Sequence, residues 1–248
     1  MKRVVLTAIA CLCPLLVSPV HADVTVKLVT KGPMGDSPTV NYIKGTRMRS
    51  ETSFGNRQMI SIVDAATRQM VVLDPQTREA TTYDLTKIAD QMRRTAKPED
   101  TKVSLTPTGE TKELLGRKCE GYTLTMTLSV NMGGMPARVT IGGPVWLAKE
   151  APGSKDWTDF FKTAGESGLF FGGGPAGGPQ AQSQALMYKA FAETGGIPYE
   201  QEIRVKAEGA VKPGQPEPTV TMTVTSVSTD PIPDEKFQVP AGYTQRKQ

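Results

Sequence analysis

The run YTLTMTLSV, residues 122–130, alternates large apolar side chains with threonine or serine for nine residues without a break. An alternation of period two places the two classes of side chain on opposite faces of a β-strand. Shorter runs with the same period begin at Val24, Ile203 and Val220. Threonine on the polar faces of such runs predicts an antiparallel sheet that has one apolar face and one polar face.

Turn signals divide the chain into strands. NMGG at 131–134 predicts a hairpin, and DAAT at 64–67 and DPQT at 74–77 predict two reversals in a meander. Strand follows strand without the alternation of strands and helices that a parallel sheet requires. We therefore predict a mainly β fold of the α+β class, with an antiparallel meander of about nine to eleven strands, and a sheet of that width has to curl or close.

Three segments have helical instead of strand spacing. The first follows a predicted N-cap at Asp84, and the third covers about 183–194 and ends at Gly195. The second has a predicted N-cap at Ser154 and carries an apolar stripe at i, i+3, i+4 and i+7, formed by Trp157, Phe160, Phe161 and Ala164. The fold should therefore contain a few helices that bury one face each.

The N-terminus resembles an export signal. A basic start and a short apolar run lead to the sequence VHA, which ends at Ala22 and suits cleavage before Asp23. We predict a signal peptide over 1–22 and a single periplasmic domain over 23–248. The apolar run is too short to span a bilayer, so no transmembrane segment is expected in the mature chain. A lipoprotein signal that ends before Cys11 is the alternative.

Cleavage at this site excludes several kinds of chemistry. It removes the one histidine and two of the three cysteines, so no imidazole base and no common zinc site remains. Removing Lys2 and Arg3 from the 29 basic residues leaves 27, against 25 acidic residues, and this near balance does not favour a nucleic-acid partner. Carboxylate-based hydrolysis stays chemically allowed, but no acidic pair stands out. We predict a protein that is not an enzyme and that has no metal site and no cofactor.

Cys119 is the cysteine that the mature chain keeps. It is odd-numbered, whereas the apolar row of its strand is even-numbered, so an unbroken strand would place it among the threonines. A bulge at Gly121 would reverse that assignment. We interpret Cys119 as a free structural thiol; an intermolecular disulfide, a redox role and catalysis are the alternatives.

A glycine-rich insertion, GESGLFFGGGPAGGPQAQ at 165–182, predicts a flexible loop. It lacks the Gly-Lys-Ser/Thr ending of a phosphate-binding loop. Its apolar residues either pin the loop to the sheet, close as a lid over an apolar cavity, or contact a membrane or a partner. The candidate lid that would bind an apolar ligand consists of Trp157, Phe160, Phe161, Leu169, Phe170 and Phe171.

Arg47 and Arg49 stand two residues apart on a predicted strand and therefore share one face. They form either a solvated strand face or a pair of cations at the rim of a cavity, where they would contact an anion or a lipid headgroup.

Several segments resemble known exported proteins. Residues 45–85, GTRMRSETSFGNRQMISIVDAATRQMVVLDPQTREATTYDL, resemble the opening of the periplasmic lipoprotein carriers and receptors of the LolA and LolB type, in which a basic G-x-R-x-R strand leads into meanders. TGETKELLGRKCEGYTL, GPVWLAKE, GGIPYEQEI and PIPDEKFQVPAGY, in that order along the chain, are similar to an exported bacterial family described as a domain of unknown function.

The resemblance implies a half-barrel, in which a strongly curved antiparallel sheet has helices plugging its concave side. In the carriers this cavity holds the acyl chains of lipoproteins, and the resemblance implies no catalytic residues. We therefore expect a non-catalytic periplasmic carrier whose partners are an apolar ligand, such as a lipid or acyl chain, or a lipoprotein or other envelope component. The alternative is a structural or interaction protein of the envelope, with a sheet interior packed by its own side chains and no ligand.

Overall fold

The computed structural model of the protein describes residues 23–33, 35–95, 102–132, 135–166, 179–208 and 218–248. The strands are β1 (Val24–Gly32), β2 (Gly35–Lys44), β3 (Arg47–Phe54), β4 (Arg57–Asp64), β5 (Gln69–Asp74), β6 (Glu79–Asp84), β7 (Lys102–Leu114), β8 (Arg117–Met132), β9 (Met135–Ala148), β10 (Ile197–Glu208), β11 (Thr219–Ser228) and β12 (Thr244–Lys247). The helices are α1 (Leu85–Thr95), α2 (Ser154–Glu166), α3 (Pro179–Thr194) and a short 3-10 helix (Asp234–Phe237).

All twelve strands form one sheet in the order β12-β6-β5-β4-β3-β2-β1-β11-β10-β9-β8-β7. Strands β7 and β12 lie at its two edges, so the sheet is not closed. Neighbouring strands are antiparallel, except that β12 pairs with β6 in parallel. The predicted mainly β fold with a large antiparallel sheet is therefore confirmed. The strand count exceeds the predicted range because β12 has the sequence TQRK, which carries no apolar alternation.

The helices begin where their local chemistry allows. The Asp84 carboxylate accepts hydrogen bonds from the backbone N–H of Thr86 and Lys87, at 2.9 and 3.4 Å, as an N-cap does. Ser154 does not cap α2: Gly153 precedes the helix with a φ of 76°, and the Ser154 hydroxyl donates to the carbonyl of Lys149 at 2.6 Å. Helix α3 ends before Gly195, which has a φ of 77°.

The loop predicted at 165–182 overlaps two helices at its ends, and its residues 167–178 lie outside the described residues. Helix α2 continues to Glu166, and α3 already begins at Pro179, so both ends of the predicted loop are helical. Proline at the first helical position has the fixed φ of a helix and needs no hydrogen bond for its nitrogen, which explains the earlier start. In the described ranges, no helix combines the length and the apolar character that crossing a membrane requires.

Helix α2 packs against one face of the sheet. Its buried side chains belong to a cluster that also contains residues from ten strands, β1 to β6 and β8 to β11, among them Val24, Ile43, Met48, Val63, Met70 and Tyr83. On the same face, the α3 residue Phe191 packs with Tyr122, Leu124, Val145 and Leu147 from β8 and β9. The helices thus bury apolar rows that the strand alternation predicts.

The opposite face of the sheet is also apolar in its first half. Ile60, Ile62, Leu73 and Ala80, from β4 to β6, form a cluster with Ile232 and Phe237 of the C-terminal segment. The expectation of a uniformly polar second face is therefore wrong for this half. The reason is that β4 carries apolar side chains on both faces, and a distant segment covers the second row.

Candidate functional site

The aromatic residues predicted as part of a lid on α2 form packed core. Trp157, Phe160 and Phe161 are all buried, with ring centroids 4.7 Å apart for Trp157 and Phe161 and 5.3 Å apart for Phe160 and Phe161. Tyr188 of α3 lies against Phe161 at 4.9 Å. Burial raises the pKa of Tyr188 to about 12. Trp157, Phe161 and Tyr188 therefore form an aromatic contact between α2 and α3.

The remaining residues of the predicted lid, Leu169, Phe170 and Phe171, lie outside the described residues. Their role as a lid stays a prediction from the sequence.

Arg47 and Arg49 lie on the sheet face opposite to the α2 aromatics. Met48, which stands between them, belongs to the α2 cluster, and alternate residues of a strand point to opposite faces. The Arg47 guanidinium donates to the Asp234 carboxylate at 2.6 Å and lies 4.9 Å from the Phe237 ring centroid. Arg49 is buried and donates to Glu51 at 2.6 Å and to the carbonyl of Lys236 at 3.1 Å. Both cations hold the C-terminal segment, and the structure does not bring them together with the α2 aromatics.

The contact between Arg47 and Asp234 depends on pH. Hydrogen bonds from Arg47 and Lys44 hold the pKa of the Asp234 carboxyl below its ordinary value. A carboxyl with a lowered pKa in the folded state contributes stability above its unfolded pKa, and this contribution is lost as the pH falls through the folded pKa. Acidification through the lowered pKa of Asp234 should therefore weaken this contact with the C-terminal segment.

Cys119 is free and fully buried, although it faces away from the apolar row. Strand β8 pairs with β9 without a shift from Glu120 to Tyr122, so Gly121 is not a bulge between them. The register keeps Cys119 in phase with the threonines, but the residue belongs to the buried cluster that contains the α2 aromatics. The irregularities lie in the neighbouring strands, in β7 between residues 107 and 111 and in β10 between residues 198 and 200.

Side chains from distant strands cover this face near Cys119. A Cβ at Gly121 would stand 2.6 Å from the Thr108 hydroxyl and 3.0 Å from the Trp146 ring, so the glycine makes room for Trp146. Lys112 lies 4.4 Å from the Trp146 ring centroid and pairs with Glu200 at 2.6 Å. The Cys119 thiol donates weakly to the carbonyl of Arg117 at 3.6 Å, and burial raises the pKa of the thiol. A protonated, inaccessible thiol suits a structural role.

Replacing Cys119 with serine should lower the free energy of unfolding by about 1–2 kcal/mol, the range of a modest core change. The cost stays small because the serine hydroxyl can donate to the same carbonyl of Arg117. Urea unfolding followed by circular dichroism measures it, and a thiol reagent should label native Cys119 slowly and unfolded Cys119 fast. Fast labelling of the native protein would contradict the structural role.

A set of apolar side chains on the face that carries α2 and α3 is only half-buried. Strand register places it on one side of β1, β11, β10 and β9, where Ile203 pairs with Val220 and Val205 pairs with Ile141. We call this set the open apolar face; it consists of Leu28, Val139, Ile141, Ile203, Val205, Val220 and Met222. Leu28 packs against the α2 cluster, and the other six belong to none of the three buried clusters in the described part of the chain.

Gln201 lies at the inner end of the open apolar face. It stands two residues before Ile203 on β10 and pairs with Val145 on one side and Met222 on the other. The residue is 2% exposed, and within the described residues its side-chain nitrogen Nε2 has no hydrogen-bond partner. A buried donor without a partner is rare in proteins and requires an explanation.

Two glycines in β9 mark a close approach of strands beside the open apolar face. A Cβ at Gly142 would stand 2.2 Å from the carbonyl oxygen of Leu124, and a Cβ at Gly143 would stand 2.2 Å from that of Glu202. Gly143 also has a φ of 153°. Glycines at such positions permit bends that other residues exclude. Strands β8 and β10 can therefore approach β9 more closely than side chains would allow.

A surface cavity of about 720 Å³ lies between α3, the edge strand β7 and the threonines of β8. Val103 and Leu186 contribute apolar surface, but the rest of the lining carries mostly charged or hydroxyl side chains, Lys102, Ser104, Thr125, Thr127, Lys189 and Glu193. This lining suits an acyl chain less well than the open apolar face does. In the ranges that the structure describes, no three His, Cys, Asp or Glu side chains are grouped to hold a metal ion.

Compared with known protein families and with curated proteins, the chain matches no family model and no individual protein. Its similarity to the LolA and LolB carriers therefore stays a prediction from the sequence segments. The proposed function therefore rests on the geometry of the candidate site itself.

Proposed function

We propose that the protein is a non-catalytic carrier or binding protein of the periplasm, which holds a lipid, an acyl chain or another apolar ligand against the open apolar face. The observation that supports this most directly is the juxtaposition of half-buried apolar side chains with the buried Nε2 of Gln201, which has no hydrogen-bond partner within the described residues. The export signal predicted over 1–22 supports the location. A lipoprotein or another envelope component would deliver or receive the ligand.

The energetics favour an apolar ligand on this face. Covering apolar surface stabilises a complex by roughly 25 cal/mol per Å², or about 0.8 kcal/mol for each buried methylene group. Ile141, Ile203 and Met222 are half-buried and can still lose surface to a ligand. An acyl chain that buries eight methylene groups there would gain roughly 6 kcal/mol before the entropic cost of binding.

In this proposal the sheet curves around the ligand as a half-barrel, with α2 and α3 on the concave side. The close approach of β8 and β10 at Gly142 and Gly143 supports such curvature, because glycine kinks are a usual means of bending a wide sheet. The predicted lid residues Leu169, Phe170 and Phe171 would close over the ligand; this last element rests on the sequence alone.

The alternative is a structural or interaction protein of the envelope that carries no ligand. One observation favours it: Trp157, Phe160 and Phe161, predicted to form part of a lid, are buried in permanent contact with the sheet. If other residues of the chain fill the open apolar face in the same way, no ligand can bind there.

A pair of polar substitutions separates the two functions. Ile203 and Val220 are cross-strand partners, so replacing both with threonine keeps the strand propensity but makes the face polar. The carrier proposal predicts that a neutral apolar dye, N-phenyl-1-naphthylamine, binds about tenfold more weakly, which corresponds to about 1.4 kcal/mol. The free energy of unfolding should change by less than about 1 kcal/mol, since both side chains are half-buried.

Thr221→Val is the matched control, because Thr221 lies between Val220 and Met222 and faces the opposite side of β11. It should leave dye binding unchanged. A large loss of stability in the double variant, with no change in dye binding, would favour the self-packed structural protein.

A further inference from the structure

The buried amide of Gln201 carries an inference about the ligand, and this inference rests on the proposed function. The partners of Gln201 in the sheet, Val145 and Met222, are both apolar, so an apolar side chain would fit the same row. An amide N–H group that is buried without a hydrogen bond lowers stability, because it has lost its water partners and gained none in the protein. The side chain is 2% exposed, and its Nε2 has no partner within the described residues. A ligand atom that accepts a hydrogen bond would remove this cost.

The charges nearby indicate which acceptor fits. Gln201 is a neutral donor, and the acidic residues beside it on β10, Glu200 and Glu202, face the other side of the sheet. Lys112 pairs with Glu200 at 2.6 Å, and Arg204 donates to Glu202 at 2.7 Å, so both cations are engaged on that side. Burying a carboxylate against one neutral donor leaves its charge uncompensated and is strongly unfavourable, whereas a neutral carbonyl needs only the single hydrogen bond.

We propose that Gln201 donates a hydrogen bond from Nε2 to the neutral carbonyl oxygen of an acyl ester or acyl amide, whose hydrocarbon chain lies along the open apolar face. The apolar side chains then supply most of the affinity, and Gln201 sets the depth of the carbonyl and selects against free fatty acids. The site therefore distinguishes esterified or amidated acyl chains from both alkanes and carboxylates.

The test uses the mature chain and displacement of N-phenyl-1-naphthylamine by three probes of similar length: methyl dodecanoate, dodecanoate and tridecane. The wild-type protein should bind the ester more tightly than the other two. Gln201→Leu should weaken ester binding by about 5- to 20-fold, the value of one hydrogen bond of about 1–2 kcal/mol. Binding of tridecane should change by less than twofold, because the apolar contacts remain.

The remaining outcomes separate this inference from the proposed function. If the wild-type protein binds neither the dye nor any probe, the proposed function fails, and the inference fails with it. If the wild-type protein binds the probes but Gln201→Leu keeps full affinity for the ester, or if dodecanoate binds best, the carrier stands and the role of Gln201 is wrong. Gln201→Met, which keeps the length of the side chain and has no donor, replaces the leucine variant if that variant does not fold.

Discussion

Phe160→Ala is expected to lower the free energy of unfolding by about 3–5 kcal/mol, the usual cost of removing a buried phenylalanine. Phe160 is 1% exposed and joins α2 to the cluster that contains residues of β1 to β6 and of β8 to β11. Its ring also meets Phe161 edge-on at a centroid distance of 5.3 Å. The cavity left behind would remove packing contacts between α2 and the sheet. Guanidinium chloride unfolding, followed by circular dichroism, measures the loss.

Phe54→Ala is the matched control for this substitution. Phe54 is 46% exposed at the end of β3, so the same change in side-chain volume should cost less than about 1 kcal/mol. Similar losses of unfolding free energy for the two variants would show that α2 is not part of the stable core. They would support the prediction from the sequence that its aromatic residues form part of a lid.

Gly142→Ala is expected to lower the free energy of unfolding by about 3 kcal/mol, at the upper end of the overpacking range. The new Cβ would stand 2.2 Å from the carbonyl oxygen of Leu124, and the contact is with backbone that cannot rotate away. Strand β8 would have to shift and lose hydrogen bonds of the ladder, each of which contributes about 1 kcal/mol. The same unfolding experiment measures this cost.

Gly32→Ala provides the control, because Gly32 also lies in a strand and needs no positive φ. A Cβ there would stand 3.4 Å from a methyl group of Val220, which is an ordinary contact. Its effect should stay within about 1 kcal/mol, and a slight gain is expected from the stiffer unfolded chain. Equal effects of the two substitutions would mean that β8 and β9 do not approach as closely as the structure indicates. The support for curvature at this point would then be lost.

Local patterns explain why much of the sheet is predictable from the sequence. In the run 122–130, the alternation of neighbouring residues is enough to show which side chains share a face of the strand. At 74–77, four turn-forming residues are enough to show that the chain reverses direction. Strand β12 is not predictable from a local pattern, because its four residues are polar and exposed. Only the pairing with β6 makes them a strand.

The contacts that position the candidate site are long-range, and for that reason the sequence does not show them. Arg47 and Asp234 are 187 residues apart, so the sequence gives no sign that the arginine holds the C-terminal segment and not a ligand. Cys119 is buried in a cluster that also contains Trp157 and Phe160 of α2, which are distant from it in the sequence.

Gln201 is a partial exception. Extending the alternation of Ile203 and Val205 two residues backwards puts this amide on the apolar row. Its sequence neighbours, Glu200 and Glu202, are charged, so the segment around Gln201 reads as uniformly polar and the alternation is not evident there. Whether the amide has a partner depends on the packing of several strands and helices, which no local pattern contains.

Native mass spectrometry of the protein, isolated from the periplasm without detergent, tests the carrier function most directly. If the protein is a carrier, the chain should begin at Asp23 and carry a non-covalent lipid mass, which is lost under denaturing conditions. Fragmentation of the released lipid should identify an acyl ester or acyl amide. A chain that begins at Asp23 and carries no added mass, at every concentration and from every preparation, would contradict the carrier function and leave the self-packed envelope protein.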